Sequence, residues 1–305
     1  MSRPEWTRGG VRWLGLRRDG AGEHAERVVF SASGPAPQAT SGTTSFAGVA
    51  PSIAGSARRA CPPDMVHVTG RLCVDRYESQ LVDAWGVALS PYHATSPQVV
   101  RQVLDEWTFG RLLVGDLHAR AMPLPPLLRP VDSVVTPVAT SRPGTVPTSQ
   151  ISGAVAEAAC RSAGKRLCSL DEWTLACRGE EGREFPYGTA HEQGACNVNG
   201  DAHPAAVLHG NAALGHLDPR LNLVEIDGVP LLSTTGASPR CASRWGDDAI
   251  FDMVGNLDEW VDDEEGTFAG GFYARGTRRG CGSVITSHPR RYFDYSLGTR
   301  CCLTP

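Results

Sequence analysis

The stretch Asp252-Met253-Val254-Gly255-Asn256-Leu257-Asp258-Glu259-Trp260 gathers a turn glycine, an amide, three acids and a tryptophan into nine residues. Gly270-Gly271 follows shortly after, and the chain closes on Gly298-Thr299-Arg300-Cys301-Cys302. Glycine beside asparagine marks a tight corner. The acids and tryptophan around it make this the chemically richest part of the chain. The rest reads as a scaffold for this C-terminal third.

The chain has 305 residues, of which 41% are apolar, enough for one large core or two modest ones. It carries 34 glycines and 22 prolines, which suits a loop-rich fold with short elements better than a helical bundle. A net charge of -4 implies no basic face, which argues against nucleic acid as a partner. No apolar run is long enough to span a membrane. The 10 cysteines are widely and irregularly spaced, without a Cys-x-x-Cys pair. That pattern favours disulfides over a zinc site, and disulfides imply an oxidising, extracytoplasmic compartment. Residues 1–30 start basic but lack the apolar run of about 7–15 residues that a secretory signal needs.

Outward from the corner, residues 1–58 are rich in Arg, then in Ser, Thr, Gly, Ala and Pro, and are expected to be a disordered tail. The ordered domain is expected over 59–305. Met65-Val66-His67-Val68 and Leu72-Cys73-Val74-Asp75 flank a Thr69-Gly70-Arg71 turn as a hairpin, and a Cys61–Cys73 bridge would staple its open end. Residues 79–150 read as an extended segment or variable insertion, with one short helix near 99–107; Pro123, Pro125, Pro126 and Pro130 exclude regular helix there. A helix over 152–163 ends at Gly164. A capping box, Ser169 with Glu172, starts a second, on which Trp173, Ala176 and Cys177 share a face. Residues 180–250 hold little regular structure, with a strand expected at 231–236. Thr267–Tyr273 reads as another strand.

Several of these stretches resemble the formylglycine-generating enzyme family, also called the sulfatase-modifying-factor family. Met65-Val66 through Asp75-Arg76-Tyr77-Glu78 resembles its opening strand pair. Ala163-Gly164-Lys165-Arg166-Leu167, Glu172-Trp173 and Ala176-Cys177-Arg178-Gly179 resemble its central helix motif. Phe185-Pro186-Tyr187-Gly188 and Cys196-Asn197 match the loop after it. Asp252 to Trp260 resembles its Gly-Asn-x-x-Glu-Trp signature, and Gly270-Gly271 with Leu297-Gly298-Thr299-Arg300-Cys301 its closing strands. The fold implied over 61–305 is α+β, C-type-lectin-like, loop-rich and stapled by disulfides. The resemblance implies bridges Cys160–Cys301 and Cys177–Cys281. The remaining cysteines then suggest Cys196–Cys241 and Cys168–Cys302, although composition alone leaves their connectivity open.

The resemblance also carries an expectation about chemistry. Formylglycine-forming members bind copper through two cysteines spaced Cys-x-x-x-x-Cys shortly after the Gly-Gly strand, and thiolates suit Cu(I). Here Arg275 and Gly280 fall at those positions, and Cys281 fits the structural cysteine better. A divergent, non-catalytic binding module is therefore expected, taking a peptide, protein or glycan. Its cleft would be lined by Tyr273, Arg275, Arg278 and Arg279, a basic cluster able to grip a carboxylate or phosphate. Trp173, Trp245 and Trp260 invite a sugar-stacking role, against which stands ordinary core packing. The resemblance further implies structural calcium held by the Asp252 and Glu259 side chains with the Gly255 and Leu257 carbonyls. A second calcium would use Asn197 and Val198. Oxygen ligands of this kind are what calcium takes. The competing expectation is an oxidoreductase of the same family, either with non-haem iron held through His203, His209 or His216, which crowd one loop, or with residual formylglycine-generating activity on a protein cysteine.

Overall fold

The computed structural model describes residues 5–8, 11–14, 61–70, 72–109, 121–200, 202–286 and 288–305. Met65–His67 and Cys73–Asp75 pair antiparallel as the local pattern predicts. The C-terminal strand Cys301–Leu303 lies between Cys73–Asp75 and Arg166–Leu167, so the two ends of the domain share one sheet. A second sheet runs in the order Val284–Ile285, Phe268–Ala269, Asp258–Trp260, Leu297–Thr299, and its last pairing is parallel. Asp258–Trp260, the end of the opening nonapeptide, is therefore an inner strand, and all three of its residues are buried.

Two short helices brace these sheets. Helix α2, Gly153–Ser162, starts where the Ser152 hydroxyl accepts the Val155 N–H. Helix α3, Leu170–Arg178, begins in the predicted box: Ser169 Oγ accepts from Glu172 N, and Glu172 accepts from Ser169 N. Trp173 and Trp260 are buried to within 1% and belong to two separate core clusters, so both are packing residues. Trp245 joins the first cluster and donates to the Ala176 carbonyl.

Five bridges tie the elements: Cys61–Cys73, Cys160–Cys301, Cys168–Cys302, Cys177–Cys281 and Cys196–Cys241. They use all 10 cysteines of the chain.

The structure departs from the sequence expectations in five places. Within the expected tail, Glu5–Arg8 and Val11–Leu14 form a hairpin that extends onto Glu225–Ile226 and Val229–Pro230. Gly9-Gly10 between two short runs with β-branched and aromatic residues is a hairpin signal that the arginine content obscured. The remainder of 1–58 lies outside the described residues. Segment 79–150 is more regular than expected. Ser79–Val82 pairs with Val138–Ser141, and helix α1, Pro97–Thr108, lies between them in sequence. Helix α4, Pro204–His209, falls in the stretch read as irregular; Pro204 opens it and the left-handed Gly210 closes it. Residues 231–236 form turns, not a strand. The strand expected over 267–273 stops at Ala269, because Gly270 and Gly271 take φ values of 102° and 83°. A Cβ on Gly271 would sit 2.2 Å from Thr277 Oγ1.

Candidate functional site

The corner from Asp252 to Leu257 needs unusual backbone. Asp252, Gly255 and Asn256 all have positive φ, and a Cβ on Gly255 would lie 2.3 Å from the Asn197 carbonyl oxygen. Only glycine allows that approach. The loop is then pinned from three sides. Asn256 Nδ2 and Leu257 N donate to the two oxygens of buried Glu78 at 2.5 and 3.0 Å. Asn256 Oδ1 accepts from Ser233 N and Asn197 Nδ2. Asp252 Oδ2 accepts from Gly236 N at 2.6 Å.

Glu259 is the hub of this corner. Arg300, fully buried, donates to both of its oxygens at 2.9–3.1 Å, and Trp173 Nε1 donates to Oε2 at 2.7 Å. The remaining Arg300 donors reach the Asp75 and Phe251 carbonyls. Calcium needs uncommitted oxygen ligands. Both Glu259 oxygens are committed, and a guanidinium already supplies the positive charge. Asn197 spends its amide on Leu231 O, Ser233 Oγ and Asn256 Oδ1, and its carbonyl on Asn256 N. The neighbouring Val198 packs against the core cluster around Trp173. With these bonds in place the Glu259 carboxylate has no free oxygen to offer a calcium ion, and the Asn197 side chain turns its NH2 group, not its oxygen, to Leu231, Ser233 and Asn256.

Three buried carboxylates, Glu78, Asp252 and Glu259, thus face one guanidinium. Burial, reinforced by the neighbouring acids, pushes Glu78 well above the ordinary carboxylate range, and burial pushes Asp252 up to about 6. Folded protein therefore holds protons that unfolded chain releases, so the Asp252 contribution to stability falls as pH rises through the interval from about 4 to 6, and the Glu78 contribution falls in the same direction. Asp218 and Asp294 are held below the usual range and act oppositely, losing their contribution in stronger acid. His93 and His203, lowered by burial, also favour higher pH, but Asp75 and Asp258, lifted by burial to about 6 and about 7, join the acids that favour lower pH. Melting temperature followed from pH 4 to 8 at constant ionic strength is expected to peak near pH 5 and decline towards pH 8. A rise across that range would contradict this balance.

The expected cleft residues separate. Tyr273 is fully buried and donates its hydroxyl to Asn222 Oδ1 at 2.7 Å, so it is a core residue rather than a cleft residue. Arg275 is half-buried and pairs with Asp258 at 2.6 Å. Burial lifts the Asp258 pKa to about 7; its Oδ1 also takes the Gly271 N–H, while Oδ2 has no partner among the described residues. Arg278 and Arg279 are exposed. Arg278 lines an open hollow with His191, Gln193 and Asn199.

The three loop histidines also part company. His203 Nε2 lies 3.1 Å from the Tyr295 hydroxyl, and His203 and His216 both pack edge-on against the Tyr295 ring. His216 lies 3.9 Å from Asp294, whose carboxylate raises its pKa. His209 instead lies 3.1 Å from Asp218, which also holds the buried Arg220. Among the described residues, no group of three or more His, Cys, Asp or Glu side chains is placed to hold a metal ion.

The family model for the "Sulfatase-modifying factor enzyme 1-like domain" matches residues 135–298, more than half of the chain. The chain belongs to the sulfatase-modifying factor family. Two solved structures are similar in outline to this sulfatase-modifying-factor domain. CarF shares 12% identity over 77% of this chain and 86% of its own, with a TM-score of 0.34. PvdO from Pseudomonas aeruginosa shares 12% identity over 76% of this chain and 79% of its own, also at 0.34. No curated protein sequence matches the chain.

In this sulfatase-modifying-factor domain the residues do not fit a two-thiolate copper site. Arg275 and Gly280 stand where the resemblance puts the thiolates, and Cys281 is spent on Cys177. Glu78 and Arg300 are the residues that sequence reasoning undervalued. Both lie inside motifs quoted for the resemblance, but their partners are far along the chain.

Proposed function

We propose that the domain is a non-catalytic, exported binding module that holds a peptide, protein or glycan partner through an anionic group at its arginine face. The observation that carries this reading is the state of the cysteines. All 10 are paired, so none remains to bind copper or to attack a substrate thiol. Five disulfides also need an oxidising compartment to form and persist, which supports export. No described helix is long and apolar enough to cross a membrane.

Arginine suits the proposed role because its planar fork grips carboxylate, sulfate or phosphate oxygens in pairs. Arg275 is anchored by Asp258, while Arg278 and Arg279 form no ion pair with any described residue. Beside Arg278, the Asn199 amide and the His191 ring add polar groups to the same hollow.

Titration by NMR with an acetylated, amidated diglutamate peptide and with sodium sulfate tests the proposal. Saturable shifts are expected for one or both. Replacing both exposed arginines, Arg278→Gln with Arg279→Gln, should weaken binding about tenfold or more while leaving the fold intact. Absence of saturable binding, or unchanged binding by the double variant, would contradict it. The oxidoreductase alternative draws on His203 and His216 meeting at Tyr295. Stoichiometric iron, lost when both histidines become alanine, would establish that alternative instead.

A further inference from the structure

A separate pocket lies beside α1, in the segment between Leu89 and Val135. It is a half-open cavity of about 60 Å³ with Leu89, Val100 and Leu127 among its apolar walls. Two polar groups in its lining have no partner among the described residues. One is the hydroxyl of Ser90, a residue only 7% exposed, and the other is Arg129 Nε. Burying a hydroxyl or a guanidinium N–H without a partner costs free energy, so both atoms call for an acceptor. The acid that pairs with Arg129 is already satisfied. Asp83 takes the Trp85 and Val87 N–H groups on one oxygen and the Arg129 Nη2 on the other.

The N-terminus of α1 opens onto the same cavity, which Pro97 and Val100 line. This helix has 12 residues; its Ser96 side chain makes no capping bond, and its first turn contains no acid. The positive end of its dipole is left unopposed by any side chain of the helix. His93, also in the lining, has its Nε2 on the Pro125 carbonyl. An orphan hydroxyl, an orphan guanidinium N–H and an uncapped helix start thus converge on a pocket with apolar walls.

We propose that this pocket binds a carboxylate carried on a short, branched aliphatic chain. The carboxylate sits between Ser90 Oγ, Arg129 Nε and the start of α1, and the alkyl group lies against Leu89, Val100 and Leu127. Size and charge set the class. A cavity that takes benzene measures about 150 Å³, so only a short alkyl group fits inside this smaller one, with the carboxylate at its open side. Arg129 already shares its charge with Asp83, and the walls are apolar, so a monoanion with a tail fits better than a phosphate. The same group occurs in a free short-chain acid and at the C-terminus of a peptide ending in valine.

Calorimetric titration of the whole protein with sodium isobutyrate and with isobutyramide tests the site. Isobutyrate should saturate, and the amide should bind about tenfold more weakly because it lacks the charge. Ser90→Ala should weaken isobutyrate about fivefold, the effect of one hydrogen bond. The hydroxyl has no internal partner, so the fold does not depend on it. Val100→Phe, which fills the cavity, should abolish binding. Gly-Gly-Val with a free and with an amidated C-terminus forms the second arm. Tighter binding of the free-acid peptide than of isobutyrate assigns the site to chain ends, and binding of isobutyrate alone assigns it to a free acid. Equal affinity for isobutyrate and isobutyramide, no saturable binding, or unchanged binding by folded Ser90→Ala would overturn the proposal.

Discussion

Replacing Arg300 with methionine is expected to cost about 3–5 kcal/mol, the range for breaking a buried ion pair from one side. Among the described residues Arg300 is the only positive charge within hydrogen-bond reach of Glu259, and it also ties the Asp75 and Phe251 carbonyls to the corner. Its loss leaves Glu78, Asp252 and Glu259 buried against one another, with Trp173 Nε1 as the one remaining donor to Glu259. Two carbonyls lose their donors as well. Urea unfolding of the Arg300→Met protein at pH 7, with the slope checked against the parent, measures the loss. A change below about 1 kcal/mol would mean that the corner relaxes around the missing guanidinium. Protonation offers partial relief, so the penalty should shrink at pH 5, where Asp252 is largely neutral.

The second large effect concerns the doubled tether at the C-terminus. Cys160–Cys301 and Cys168–Cys302 span 141 and 134 residues, and their partners are adjacent or nearly so at both ends. Either bridge alone closes the long loop; the other then closes only a small ring of roughly nine residues. The intact Cys177–Cys281 bridge already shortens that loop to roughly 30–40 residues, so by loop entropy the first closure contributes about 4 kcal/mol and the second about 2–3 kcal/mol. Removing one pair with alanines should therefore cost the smaller amount, whichever pair is chosen. Removing both should cost about 6–7 kcal/mol, enough to unfold a domain of ordinary stability. Unfolding of the two single-pair variants and the four-alanine variant measures this non-additivity. Equal, additive losses would show that strain or packing, and not chain closure, governs the bridges.

These effects also explain what could be read beforehand. The capping box at Ser169, the hairpin around Gly70 and the corner at Gly255-Asn256 are local. Each depends on residues a few positions apart, so spacing exposes them. The Glu259–Arg300 pair is not local, since 41 positions separate its members and nothing in either motif points to the other. The resemblance made Glu259 a calcium ligand, and nothing local showed that its oxygens accept from a guanidinium and an indole. Asp258 opens the acidic run 258–265, yet an inner strand carries it into the core. Tyr273 follows Gly270-Gly271 as a cleft residue should, but its hydroxyl finds Asn222, 51 positions earlier, and the ring is buried with it. The His203–Tyr295 contact spans 92 positions, and no periodicity could have shown it. The same distance in sequence that hid these pairs gives them their structural weight, because each closes a long stretch of chain.

The central claim is that no cysteine is left for thiolate chemistry. Unfolding the oxidised protein in N-ethylmaleimide without reductant, followed by peptide mapping, tests it directly. The account predicts no modified cysteine, with Cys281 recovered joined to Cys177 and the other four bridges intact. Recovery of modified Cys281, with Cys177 free or paired elsewhere, would contradict it and return a reactive thiol to the cleft.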